Sequence, residues 1–283
     1  MPAAEARVVD QNLPPPYYDA NGVALYRGDC LEYLPLMRSN TFDMVFVDPP
    51  YLLSNGGITC QAGKMVSVDN GEWDRSQGIE QDHEFVVQWL SECQRVMNDD
   101  ATIWVSGTRH ITYSVGFAMQ KLGFKLLNDI AWYKVNPPPN LSCRYFTHST
   151  ETIIWAAKSS RSRHVFNYQE MKALPNEPFD SAGKQMRSLW AIRPPGREEK
   201  TYGKHPTQKP LALLNRIMRA STNPGDLVLD PFVGSGTTAV SARLLGRRAV
   251  GIEKDETYLQ KAAFRLAEAA MTPRLALLVE HHV

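Results

Sequence analysis

Leu227-Val228-Leu229-Asp230-Pro231-Phe232-Val233-Gly234-Ser235-Gly236-Thr237 decides how this chain folds. Its apolar start reads as a buried strand, the glycine-punctuated middle as a tight turn, and the run from Thr237 to Leu245 as a helix. Glycines in such a turn let the backbone approach a ligand that a side chain would block. The next strand, Arg248 to Ile252, ends at Glu253, where an acid commonly accepts from ribose hydroxyls. Many nucleotide-binding folds share a turn of this kind, but the spacing G-x-x-x-x-G-K-[ST] of a P-loop is missing, which disfavours an NTPase.

The same strand–helix rhythm runs through the rest of the 283 residues. Strands are expected at 23–26, 42–47, 101–105, 124–134 and 151–157, and helices at 30–37, 84–97, 111–122, 210–221 and 256–270. The alternation implies an α/β, doubly wound, Rossmann-like sheet. Asn98-Asp99-Asp100 reads as a turn. Leu52 to Gln81 reads as a loop too polar for a core element, and a loop that long beside a site is usually functional. Residues 17–158 and 205–270 then form the two halves of one core. Residues 159–204, poor in periodicity, read as an insertion, and 271–283 as a tail.

A hydrophobic fraction of 43% supplies a sizeable core. No apolar stretch is long enough for a membrane helix and the start does not read as a signal peptide, so a cytoplasmic protein is expected. Cys30, Cys60, Cys93 and Cys143 are widely spaced, which suggests free thiols rather than a zinc site or disulfide framework; no metal is expected. None follows a proline, which removes the Pro-Cys nucleophile of cytosine-C5 methylation. Net charge is only +1, yet residues 158–204 carry ten Lys/Arg against five Asp/Glu. A basic segment on a mildly acidic body suits a phosphate-binding surface, or equally a solvated basic loop.

Asp48-Pro49-Pro50-Tyr51 closes the strand Phe42 to Val47. An exocyclic amino nitrogen on a base is a poor nucleophile, because its lone pair is delocalised into the ring. Hydrogen bonds accepted by the Asp48 carboxylate and the Pro49 carbonyl would localise that pair, and Tyr51 would cover the ring face. A stacked, paired base must first leave the duplex. Asp29 ends another strand on the expected ligand edge, where it could accept from an adenine amino group or simply form a turn.

Asp48-Pro-Pro-Tyr51, His205-Pro-Thr207-Gln-Lys209-Pro and Phe232-Val-Gly234-Ser-Gly236, in this order along the chain, resemble the β group of DNA amino-methyltransferases, whose motif order is circularly permuted. The stretches 48–57, 140–151 and 203–210 are similar to the DpnA subgroup of adenine-N6 methyltransferases, over about Tyr17 to Ala270. The resemblance implies S-adenosylmethionine as cofactor. It would be bordered by Asp29, Cys30, Asp48, Asp230, Phe232, Gly234, Gly236, Thr237 and Glu253, with Thr207 and Lys209 near its methionine carboxylate. It also implies DNA as partner, at GATC sites and including single strands. Target recognition falls to the basic insertion, and Ser54, Asn55, Arg144, Arg187 and Arg193 are candidate DNA contacts. Homodimers and cognate restriction enzymes accompany this group. Cytosine-N4 methylation uses the same chemistry, although aspartate at position 48 leans towards adenine. A non-catalytic DNA-binding protein of the same fold would be expected to have lost Asp48, Tyr51 or the glycine turn.

Overall fold

A computed structural model of the chain describes residues 13–54, 58–61, 64–67, 74–175, 183–203 and 205–271. Asn55, Lys204 and nearly all of the expected tail lie outside these. In chain order the elements are β1 (Tyr18–Ala20), β2 (Val23–Arg27), α1 (Cys30–Tyr33), β3 (Phe42–Val47), β4 (Ile58–Gln61), β5 (Lys64–Ser67), α2 (Ile79–Val96), β6 (Met97–Gly107), α3 (Thr112–Leu122), β7 (Lys125–Tyr133), β8 (Thr150–Ala157), α4 (Tyr168–Ala173), β9 (Leu189–Ala191), α5 (Leu211–Ser221), β10 (Leu227–Asp230), α6 (Thr237–Leu244), β11 (Arg248–Glu253) and α7 (Glu256–Met271).

Among the described residues nine strands form one mixed sheet in the order β1-β2-β11-β10-β3-β6-β8-β7-β9. Its centre, β2-β11-β10-β3-β6, is parallel. All four residues of β10 are buried and five of six in β3, as expected of parallel strands covered on both faces. One apolar layer joins α1, α2 and α3 to the sheet through Cys30, Trp89, Leu90, Val115 and Met119. The opposite layer joins α5, α6 and α7 through Leu213, Ile217, Val240, Leu259 and Leu266. From β10 the chain winds through α6 to β11 on one side; from β3 it winds through α2 to β6 on the other. The winding therefore reverses between β10 and β3, and a crevice opens beyond their carboxyl ends, at Asp230 and Asp48.

Three expectations are corrected. The triplet Asn98-Asp99-Asp100 is not a turn but an irregular part of β6: Phe42 pairs with Met97 and Met44 with Thr102, so extra residues bulge from the ladder. Asn98 then donates to Asp43 at 2.5 Å, and the other Asp43 oxygen accepts from the Leu227 amide at 2.7 Å. The segment expected as irregular loop, 52–81, contains the antiparallel hairpin β4–β5 and the start of α2. Finally, the segment from Ser159 onward is not outside the core. β9 pairs with β7 at the sheet edge, and Met171, Leu174, Trp190 and Ile192 are buried. Burial on one side of a short irregular segment leaves no periodicity to read.

Candidate active site

Strands β2, β3, β6, β10 and β11 are parallel, so Asp29, Asp48, Gly107, Asp230 and Glu253 come to the same edge of the sheet. A cavity of about 880 Å³ follows that edge, and both expected halves of the site line it, Asp29, Gly234 and Glu253 together with Asp48, Tyr51 and Lys209. Its size suits a small-molecule cleft.

Asp48 is the hub of a buried polar chain. Its Oδ2 accepts from Lys209 Nζ at 2.5 Å and its Oδ1 from the Tyr51 hydroxyl at 2.8 Å. That hydroxyl also meets Ser106 Oγ at 2.9 Å and Glu151 Oε2 at 3.4 Å, and Lys134 Nζ pairs with Glu151 Oε1 at 3.0 Å. Burial pushes the Asp48 carboxyl above the usual range, against the opposing pull of Lys209. Burial also holds the Lys134 ammonium down, at about 8. Glu151, despite its burial, is kept low by Lys209 and Lys134. Each carboxylate oxygen has two acceptor directions, so Asp48 retains capacity beyond Lys209 and Tyr51.

Lys209 thus stands against Asp48, whereas the sequence reading put it at a methionine carboxylate. Sequence alone could not show this, because 161 positions separate the partners. Tyr51, expected to cover the ring face of the base, is 7% exposed, and Lys209 Nζ lies 5.1 Å from its ring centre. Its hydroxyl orients Asp48.

At the other end, Glu253 accepts from the Gly234 amide at 2.9 Å and the Asp255 amide at 2.8 Å, and burial raises its carboxyl. Asp29 caps α1 through the Leu31 amide at 2.9 Å while Lys254 approaches its second oxygen at 3.3 Å. Asp29 is thus a turn former that also lines the cavity. Asp230 organises the glycine turn: its two oxygens accept from the Phe232 amide at 3.0 Å and Thr238 Oγ1 at 2.5 Å, and burial raises its carboxyl to about 7. Phe232 lies edge-on to Phe85 and Trp89. Gly236 does not line the cavity. It has φ of 82°, and a Cβ there would come within 2.6 Å of Ala262, so α7 rather than a ligand demands this glycine. Cys30 and Thr207 line the cavity. Thr237 lines it as well, and its hydroxyl accepts from Arg265 at 3.0 Å.

The wall fits S-adenosylmethionine. Asp29, Glu253 and the buried, unpartnered Gln208 Oε1 supply acceptors for an amino group, ribose hydroxyls and an ammonium.

The candidate DNA contacts differ in their exposure. Arg144, Arg187 and Arg193 are exposed. Ser54 is buried, and its hydroxyl points inward to Asp74 at 2.9 Å. Asp74, itself 1% exposed, also accepts from the amides of Leu52 at 2.7 Å and Leu53 at 3.2 Å, which anchors the chain just after Tyr51. Asp74, Ser106, Lys134, Glu151, Gln208 and Arg265 were not foreseen as site residues. Glu151 and Gln208 lie inside the motif stretches 140–151 and 203–210, and Arg265 leaves a signal as a cation on the apolar stripe of Leu259, Ala262 and Leu266.

A model of the DNA methylase family matches residues 42–264. The chain is 50% identical over 252 residues to the Type II methyltransferase M2.DpnII of Streptococcus pneumoniae, covering 89% of this chain and 92% of that protein. It is 48% identical over 256 residues to the Type II methyltransferase M2.LlaDCHI of Lactococcus lactis subsp. cremoris, with 90% and 93% covered. Among solved structures, M1.HpyAVI in complex with SAM aligns at a TM-score of 0.62 and 28% identity, covering 86% of this chain and 98% of that one. The cytosine-N4-specific PvuII DNA methyltransferase aligns at 0.70, covering 94% of each, but at 20% identity this is likeness of fold alone.

Proposed function

The chain belongs to the DNA methylase family and is an S-adenosylmethionine-dependent DNA methyltransferase; on that premise we propose that its acceptor is the N6 amino group of adenine, within GATC, in single- as well as double-stranded DNA. The observation that carries the reading is a continuous cavity lined both by the Gly234–Glu253 wall and by the Asp48–Tyr51 clamp. The resemblance to the DpnA subgroup supports the target base and site.

When bound, the cofactor supplies an electrophilic methyl group on its sulfonium. Glu253, Asp29, Gln208 and Thr207 would hold it. Lys209 keeps the buried Asp48 charged, and Tyr51 fixes its rotamer. Asp48 and the Pro49 carbonyl then accept from the adenine amino group, which concentrates its lone pair on nitrogen; such acceptors are already aimed and need no reorganisation. After methyl transfer the nitrogen loses a proton, to Asp48 or to water. Target recognition is assigned to the exposed basic side chains of 159–203, Arg187 and Arg193 among them. A homodimer and a cognate restriction enzyme belong to the same proposal.

Nucleoside digestion and mass spectrometry of DNA treated with the purified chain and S-adenosylmethionine test it. N6-methyladenine is expected from GATC oligonucleotides and not from scrambled ones. N4-methylcytosine without N6-methyladenine would overturn the choice of base.

A further inference from the structure

We propose that the loop between β7 and β8 is a duplex-opening wedge, with Phe146 entering the gap left in the base stack when the target adenine turns out. The proposal rests on the DNA-methylation reading above and adds the element that makes a paired target accessible.

The loop is seated on the catalytic edge. Tyr133 and Thr150 pair at its base, the Lys134 amide donates to the Ser149 carbonyl at 2.7 Å, and one strand inward Gly107 pairs with Thr152. The side chains at its two ends, Lys134 and Glu151, form the ion pair that touches the Tyr51 hydroxyl. From its base to the catalytic acid the path is therefore Glu151, Tyr51, Asp48.

Its tip is built to present rings outward. Pro137-Pro138-Pro139 stiffen the ascending limb. Asn140 organises the turn: its Nδ2 donates to the Tyr145 carbonyl at 2.5 Å, and its Oδ1 accepts from the Ser142 amide at 3.1 Å and hydroxyl at 2.8 Å. Tyr145 packs on His148 with ring centres 5.3 Å apart. Phe146 is left 96% exposed, and Leu141, Tyr145 and Val135 are also open to solvent. A phenylalanine ring held in water forgoes the burial that such a side chain ordinarily obtains, so this tip is formed for a partner. Charge identifies that partner. Between Val135 and Ser149 there is no carboxylate, while the exposed Arg144 is cationic. Apolar rings beside a cation, on a loop rooted at the catalytic edge, suit stacked bases between phosphates. An extruded base leaves a flat apolar gap, and aromatic and aliphatic side chains are known to fill such steps.

The test is the ratio of two activities. Wild type, Phe146→Ala and Phe146→Trp are assayed for kcat/KM on a GATC duplex and on the same sequence with the target adenine unpaired. The wedge predicts that Phe146→Ala loses about tenfold or more on the duplex, the scale of one lost base–aromatic stack, but no more than about twofold on the unpaired target. Phe146→Trp should retain duplex activity. Affinity for S-adenosylhomocysteine should be the same in all three. Equal losses on both substrates, or none on the duplex, would overturn the wedge. So would conversion of a dimer to a monomer by Phe146→Ala, which would assign the tip to a second copy of the chain. Failure of wild type to methylate either DNA would instead sink the functional reading itself.

Discussion

Replacing Lys209 with methionine tests what keeps Asp48 charged. The two side chains are 6% and 15% exposed and meet at 2.5 Å, so the pair is buried and only weakly screened. Removing one partner of such a pair leaves an uncompensated charge, at a cost of about 3–5 kcal/mol. Asp48 can escape that cost by taking a proton. Its pKa should then climb further in the direction burial already drives it. A protonated Asp48 cannot accept through both oxygens, so kcat at pH 7 should fall by about a hundredfold, the equivalent of about 3 kcal/mol, and recover as the pH is raised. Stability carries the same sign. A carboxyl whose folded pKa is raised favours the fold below its unfolded value and loses that contribution as pH rises through the folded one. Lys209→Met should therefore lose melting temperature relative to wild type as the pH rises from the ordinary carboxylate range through the raised pKa of Asp48. The assay is a kcat–pH profile, with calorimetric cofactor binding as the companion. An unmoved acid limb together with a collapse of cofactor affinity would refute the assignment and return Lys209 to the methionine carboxylate.

Tyr51→Phe removes the hydroxyl that orients Asp48 but keeps the ring, so single-turnover rates should drop about tenfold to a hundredfold with DNA affinity nearly unchanged; an unaltered rate would show that the hydroxyl is idle. Gly236→Ala places a methyl 2.6 Å from Ala262 at a φ of 82°, and thermal unfolding should reveal a loss of about 1–3 kcal/mol. A wild-type melting temperature would mean α7 can yield. Lys134 titrates near 8, so its ion pair with Glu151 is present below that pH and lost above it. The alkaline fall of kcat should accordingly move upward in Lys134→Arg, whose side chain stays charged, and an identical alkaline limb in both proteins would exclude Lys134 from it.

The sequence was most legible where local pattern and tertiary role coincide. β3, β10 and β11 are apolar runs that end at acids, and in a parallel sheet those ends share one edge, so Asp48, Asp230 and Glu253 could be grouped before any coordinates. The DNA methylase match and the likeness to M2.DpnII bear out the family read from those motifs. Partners across long separations could not be read. Tyr51 meets Ser106 from 55 positions away and Glu151 from 100, and no periodicity encodes such pairs. Asp74 was hidden for a different reason. It sits in a polar, glycine-rich stretch that looks solvated, yet its carboxylate is buried because it collects the otherwise unsatisfied amides of Leu52 and Leu53. β9 and α4 escaped because three- and six-residue elements are too short to show a period.

A cavity that brings a methyl donor to the amino group of a flipped adenine must leave its mark on the DNA of a host. Base-resolution sequencing of genomic DNA from a methylation-free host expressing the chain reports modified base and site together. N6-methyladenine at GATC is predicted, and its disappearance with Asp48→Ala while cofactor binding persists. N4-methylcytosine, or unmodified DNA from a host containing folded, cofactor-competent protein, would contradict the account.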